Sequence, residues 1–342
     1  MFKVKSLIVT ILALATFLSP NVVKKSQAKE VTNIVFSLDF IVLGRHSPWY
    51  VALDKGFYKE EGLNVKIIPG KGTASVIKNI EGNVAQFGFV DVPGLVLGRA
   101  KGSTIKMLAV NYQKAPYAVF SLDPGANVTT LKDLEGLTLT TAPGSFVPKI
   151  IEAFMAKNGL DPKKLKYDYA SPSVQIPMLM TGKAAAINFF ILTMPGISRA
   201  AKGKGKTAKA LFFGDFGLDI YANGIGAKQD FIKNNPTTTR KFVRASLKGW
   251  RHTFANPADA AKRQKKYSKG LNEQITVEEI AILKKLAITP ETKKHGLGWF
   301  SKKKMSDLRN FMVNNTKIDK SKAPRAEDLY DLNFLPKEPV KP

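Results

Sequence analysis

Phe36–Thr73 reads FSLDFIVLGRHSPWYVALDKGFYKEEGLNVKIIPGKGT. An apolar strand pattern over Ile34–Phe40 enters a loop at Val42–Pro48. A short helix pattern follows, with Trp49, Tyr50, Ala52, Leu53 and Phe57 at spacings of three and four. Gly62 stops it, and a second strand, Leu63–Ile68, leads into Gly70-Lys71-Gly72-Thr73. This is a strand–loop–helix–strand unit with both loops after strand ends, where open α/β sheets hold their ligands. The first loop offers Arg45, His46, Trp49 and Tyr50, and the second offers Gly72 and Thr73. Two aromatics, a fixed cation and an imidazole suit a small, flat, anionic solute. Trp49 and Tyr50 are adjacent, so on a helix they point about 100° apart. One of the two is therefore expected to pack inward.

The chain before this stretch has Lys3 and Lys5, an apolar run Leu7–Leu18, and small residues in Ser26-Gln27-Ala28. That is the pattern of a secretory signal over residues 1–28, too short for a stable membrane span. The 342 residues contain no cysteine. A lipid-modified cysteine cannot follow the signal, and disulfides and thiolate metal sites are excluded. The expectation is a periplasmic protein, not lipid-anchored, starting near Lys29. Its remaining length suits two lobes rather than one core.

The formal charge is +26, and cleavage after Ala28 removes four lysines and no acid, leaving +22. The excess reads either as attraction of anionic ligands or surfaces or as a lysine-rich bias spread over solvated faces. It is mostly lysine and scattered, which favours the second, since planar recognition of anions favours arginine. No nucleic-acid motif is present.

Downstream, strands are expected at Ala85–Val90, Ile105–Asn111 and Tyr117–Leu122. Asp91, at the first strand's carboxyl end, can accept from a ligand or cap the helix that begins near Pro93. Lys114–Pro116 reads as a crossing to a second lobe. There, Leu137–Thr141 runs into Ala142-Pro-Gly144-Ser145 and a helix carrying Ile150, Ile151, Phe154 and Met155. A strand, a glycine turn and a helix N-terminus can bind an anion, or Ser145 can simply cap. A further strand is expected at Lys166–Tyr169. Ala184–Ile191 is almost wholly apolar, as in a central strand buried on both faces, and Asn188 and Phe190 lie near its end. Leu211–Phe213 precedes Gly214–Asp219, the return crossing, which brings Asp215 into the candidate set. Tyr221–Ala227 rejoins the first lobe. The remainder is helical, with Thr276-Val-Glu-Glu279 reading as a capping box. Trp250 and Trp299 read as core, and His252 and His295 as solvated.

Catalytic motifs are missing: there is no cysteine nucleophile, Gly-x-Ser-x-Gly elbow, phosphate loop or closely spaced His/carboxylate metal set. His46 is the one candidate general base. No cofactor is implied.

The run His46-Ser-Pro-Trp-Tyr-Val-Ala-Leu-Asp-Lys-Gly-Phe-Tyr-Lys-Glu-Glu-Gly-Leu-Asn-Val65 resembles the opening of solute-binding proteins of ABC importers. It is most similar to the thiamine-pyrimidine-precursor-binding-like branch, beside the nitrate, sulfonate and taurine binders. The resemblance continues in Gln86–Val92, Asp133–Gly136, Pro143–Ser145 and Asp328–Pro336. It implies an α/β, two-lobed type II periplasmic binding protein (a venus flytrap) with two crossover hinge segments. Lobe 1 would be residues 31–115 and 220–342, and lobe 2 residues 116–219. The implied function is capture of a small planar, anionic organic nutrient, either thiamine-pyrimidine-precursor-like or an aromatic acid, by a monomer serving an ABC permease and its ATPase. A sulfonate, taurine or nitrate site is the alternative, and a same-fold enzyme of pyrimidine precursor synthesis the more distant one. Those enzymes rely on a cysteine-rich motif that this chain lacks. Pyrimidine-precursor binders pair an aromatic with a nearby acid at the strand end. Phe190 supplies the aromatic, but no acid lies between Phe189 and Gly196.

Overall fold

The computed structural model describes Phe2 and residues 31–342. The expected signal sequence lies outside the described residues, apart from Phe2. Ten strands form two five-stranded sheets. The first holds β1 (Thr32–Ser37), β2 (Leu63–Ile68), β3 (Phe87–Asp91) and β4 (Ile105–Val110). The chain then builds the second sheet from β5 (Tyr117–Asp123), β6 (Thr138–Thr141), β7 (Lys166–Tyr169), β8 (Ala186–Phe190) and β9 (Thr207–Phe212). It returns as β10 (Asn223–Lys228) to finish the first.

The spatial orders are β2-β1-β3-β10-β4 and β7-β6-β8-β5-β9. In each sheet the strand that arrives from the other one inserts antiparallel to its neighbours. β10 runs against β3 and β4, and β5 runs against β8 and β9. The parallel strands β1, β2 and β3, and likewise β6, β7 and β8, direct their carboxyl ends into loops. β8 stands third in its sheet, which accounts for the apolar run over Ala184–Ile191.

The core is aromatic. Trp49 is fully buried, with ring centroids 4.6 Å from Phe36, 5.1 Å from Phe89 and 5.5 Å from Trp250. Trp250 and Phe242 come from one face of the helix Pro236–Ala255, and Phe242 stacks on Phe87 at 4.1 Å. That helix lies close against the helix Ser47–Asp54. A Cβ at Gly249 would stand 2.3 Å from the Pro48 carbonyl oxygen, so only glycine allows the approach.

Three local expectations are corrected. The helix Glu273–Ala287 starts earlier than Thr276, because Asn272 accepts from the Ile275 N–H at 3.0 Å and caps it. Glu279 therefore sits inside the helix and is buried. Trp299 is half-buried rather than core, and the exposed His295 stacks on it at 4.3 Å. His252 is half-buried and hydrogen-bonded to Asp259 at 2.6 Å, rather than solvated.

Candidate ligand-binding site

Loops at the carboxyl ends of β1, β2, β6 and β8 meet around a narrow cavity, with ≈ 60 Å³ available to the centres of water-sized molecules. The first sheet's side contributes Asp39, Phe40, Arg45, Gly72 and Thr73, and the second's contributes Ser145, Phe146, Asn188, Phe190 and Thr193. Gly70 lets the β2 loop close over β1. A Cβ there would lie 2.0 Å from the Leu38 carbonyl oxygen.

Arg45 belongs to a 3-10 turn, Gly44–His46, and its guanidinium is buried. One nitrogen bonds Asp39 Oδ2 at 2.9 Å, another donates to the Tyr112 hydroxyl at 3.3 Å, and the guanidinium carbon lies 4.8 Å from the Phe190 ring centroid. Burial opposes its charge, but Asp39 more than compensates and holds Arg45 protonated. The carboxyl of Asp39 likewise stays below its ordinary value, despite burial, because of Arg45 and His46.

His46 has a defined tautomer. The Leu43 backbone N–H donates to its Nδ1 at 3.1 Å, so Nε2 carries the proton and donates to Asp39 Oδ1 at 2.8 Å. Burial, helped by Arg45, lowers its pKa to about 4. The ring is neutral and serves to hold Asp39. Asn223 adds a further hydrogen bond to Asp39 Oδ2 at 3.1 Å. From behind, Glu279 Oε2 accepts the Arg45 backbone N–H at 2.9 Å and so fixes the turn that carries the arginine.

Three residues that line the cavity each hold one buried side-chain atom with no hydrogen-bond partner among the described residues: Arg45 Nε, Asn188 Oδ1 and Thr193 Oγ1. Leaving such groups unpaired costs roughly 1–3 kcal/mol each. Three of them inside aromatic walls (Phe40, Phe146, Phe189 and Phe190) define a site with a flat apolar body and a few fixed polar points.

Six of the twelve residues picked from sequence line this cavity: Arg45, Gly72, Thr73, Ser145, Asn188 and Phe190. His46 stands directly behind Asp39. Gly144 turns with φ +75° and faces a separate groove. Asp215 is exposed in the 3-10 turn Phe213–Phe216 and is not part of the lining. The aromatic pair expected from the first loop is corrected. Trp49 is core, and Tyr50 packs on Tyr267 at 5.6 Å. Sequence reasoning missed Asp39, Phe40, Phe146 and Glu279. Asp39 and Glu279 did carry a signal, since each is a lone acid on an apolar stretch or helix face.

Asp91 caps the helix Val92–Arg99, accepting from the Gly94 N–H at 3.4 Å, and also accepts from the Tyr117 hydroxyl at 2.6 Å. It is fully buried and absent from the cavity lining. Burial raises its pKa from 3.8 to about 8. The folded chain thus keeps a proton that the unfolded chain releases near 3.8. This contribution is fully present below that pH and is lost as pH rises towards 8. Glu279, raised by burial to about 7, acts with the same sign. His46 acts oppositely, its contribution being lost as pH falls from 6.5 to about 4. Thermal unfolding midpoints are therefore expected to fall between pH 5 and 8. Asp91→Asn should flatten that fall, and an unchanged slope in the variant would show that Asp91 does not keep its proton.

The family model described as NMT1/THI5 like matches residues 44–260, from the turn that carries Arg45 onward. The riboflavin-binding protein RibY of Chloroflexus aurantiacus is 27% identical over 240 residues, covering 66% of this chain and 64% of RibY, just under two thirds of that relative. Among solved structures, the alkanesulfonate-binding protein SsuA from Xanthomonas axonopodis pv. citri, bound to MOPS, superposes with TM-score 0.70 at 13% identity. That match covers 88% of this chain and 99% of SsuA. The nitrate-binding protein NrtA from Synechocystis PCC 6803 gives 0.65 at 13%, covering 89% and 87%. At such identities the likeness establishes the fold, the type II periplasmic binding protein fold. The chain belongs to the NMT1/THI5-like family, whose model matches well over half of it.

Proposed function

We propose that this solute-binding component captures a small planar heterocycle in the cavity between the two sheets and passes it to an ABC permease. The observation that carries the reading is the set of unpaired polar atoms, Arg45 Nε, Asn188 Oδ1 and Thr193 Oγ1, within phenylalanine walls. A flat ring stacked against Phe190 would satisfy both its faces and its edge. Riboflavin, named for the relative RibY, has that shape and puts flavins first among the candidates. Residues 31–115 with 220–342, and 116–219, would act as two lobes hinged at Lys114–Pro116 and Gly214–Asp219, opening to admit ligand. Binding rather than turnover is supported by His46. Both of its ring nitrogens are engaged inside the protein, so it has no free base to offer.

Thermal shift across flavins, pterins, pyrimidines, taurine, alkanesulfonates and nitrate tests the reading. Stabilisation is expected from ring compounds, growing with concentration by mass action, together with a more compact scattering profile. Stabilisation by sulfonates or nitrate alone would overturn it.

A further inference from the structure

We propose that Asp39 sets the charge class of the ligand: paired with Arg45, it makes the cavity select the uncharged edge of a planar ring over an anion of the same shape. The inference rests on the reading that the ligand occupies this cavity. An arginine alone in a buried pocket would be a strong anion trap. Here the Asp39 carboxylate, itself part of the lining, is 2.9 Å from the guanidinium. Three neighbours, Arg45, His46 and Asn223, donate to Asp39, which keeps it ionised. His46 adds no charge, since its Nδ1 accepts from Leu43. The charge of the Arg45–Asp39 pair therefore sums to zero.

An anion entering this space would gain the Arg45 Nε–H and at the same time face the Asp39 carboxylate, after losing its own hydration. A carbonyl oxygen or ring nitrogen gains the same hydrogen bond without that repulsion. The second sheet's wall adds the Thr193 hydroxyl, which can donate or accept, and an amide oxygen. Asn188 Oδ1 is an unpaired acceptor and calls for an N–H from the ligand. A ring that carries both C=O and N–H groups, as a lactam or imide does, can meet the donor on one wall and the acceptor on the other. The charge-selecting residue of this site is thus the acid beside the arginine, not the arginine.

The test compares uracil with orotate, the same ring bearing a carboxylate, by calorimetry at fixed salt. Wild type is expected to bind uracil at least tenfold more tightly than orotate. Asp39→Asn keeps the side-chain shape and frees the guanidinium charge, so it should reverse the preference towards orotate by tenfold or more. Inorganic sulfate should stabilise the variant against heat and leave wild type unaffected. Should Asp39→Asn fail to fold, Asp39→Ser and the wild-type preference itself still decide. Wild type favouring orotate, or a folded Asp39 variant with unchanged preference, overturns the inference while leaving the cavity reading in place. Binding of neither ring, nor of lumichrome, overturns the cavity reading and the inference with it.

Discussion

Trp49→Ala should lower the unfolding free energy by about 3–5 kcal/mol without removing a ligand contact. The indole is fully buried among Phe36, Phe89 and Trp250, where the helix Ser47–Asp54 meets β1, β3 and the helix Pro236–Ala255. Truncation leaves a cavity bounded by three rigid rings on separate elements, which cannot easily collapse. Against a typical total of about 5–15 kcal/mol, the variant would be marginal at 37 °C. Trp49→Phe makes the useful control. The indole Nε1 is buried without a partner among the described residues, so phenylalanine loses area but also sheds an unsatisfied donor. Denaturant unfolding should place Trp49→Phe well above Trp49→Ala. An alanine variant of near-native stability that binds ligand tenfold more weakly would return Trp49 to the binding site.

Arg45→Met should weaken ligand binding by about thirtyfold, within the roughly 1.5–3 kcal/mol of a hydrogen bond made by a charged group. Three features disappear together: the unpaired Nε–H of a cavity-lining residue, the cation against Phe190 and the partner of Asp39. The stranded Asp39 carboxylate should also cost stability, so affinity must be read well below the variant's unfolding temperature. The exposed Lys202, at the end of the helix Met194–Lys202, gives the comparison for general positive charge. Lys202→Ala should leave affinity unchanged. Long-range attraction would fade with salt over about 8–10 Å and touch both variants alike. Equal, salt-sensitive losses in the two would show that Arg45 acts only as part of the overall charge.

Arg45 also illustrates what the sequence made legible. The strand-end rule placed its loop correctly, and Leu63–Ile68 runs over the same residues in pattern and in structure. The apolar Ala184–Ile191 run identified β8 as a central strand. The aromatic assignment failed for a physical reason. The helix Ser47–Asp54 is covered on one side by Pro236–Ala255 and on another by Pro257–Tyr267, both contributed some 200 residues later. A helical period shows that two faces are apolar, not which distant element covers each. Phe190 was picked as lying at the end of a strand, whereas Phe40, the last residue of the expected strand Ile34–Phe40, and Phe146 were not singled out; β1 in fact stops at Ser37 and leaves Phe40 in the loop. The ion pair was missed because pairing is a tertiary fact. Asp39 lies six residues before Arg45, and only the 3-10 turn, tied down by Glu279, folds the guanidinium back onto it. That pairing changes the expectation drawn from Arg45 alone, since a cation already matched by a buried acid no longer calls for an anionic ligand.

The most direct measurement is mass spectrometry of the small molecule released from protein purified natively, without refolding. The account predicts a planar ring compound, carrying a lactam or imide edge and no charge on that edge, at up to one per chain. Release of an aliphatic sulfonate, taurine or nitrate at that stoichiometry would contradict it.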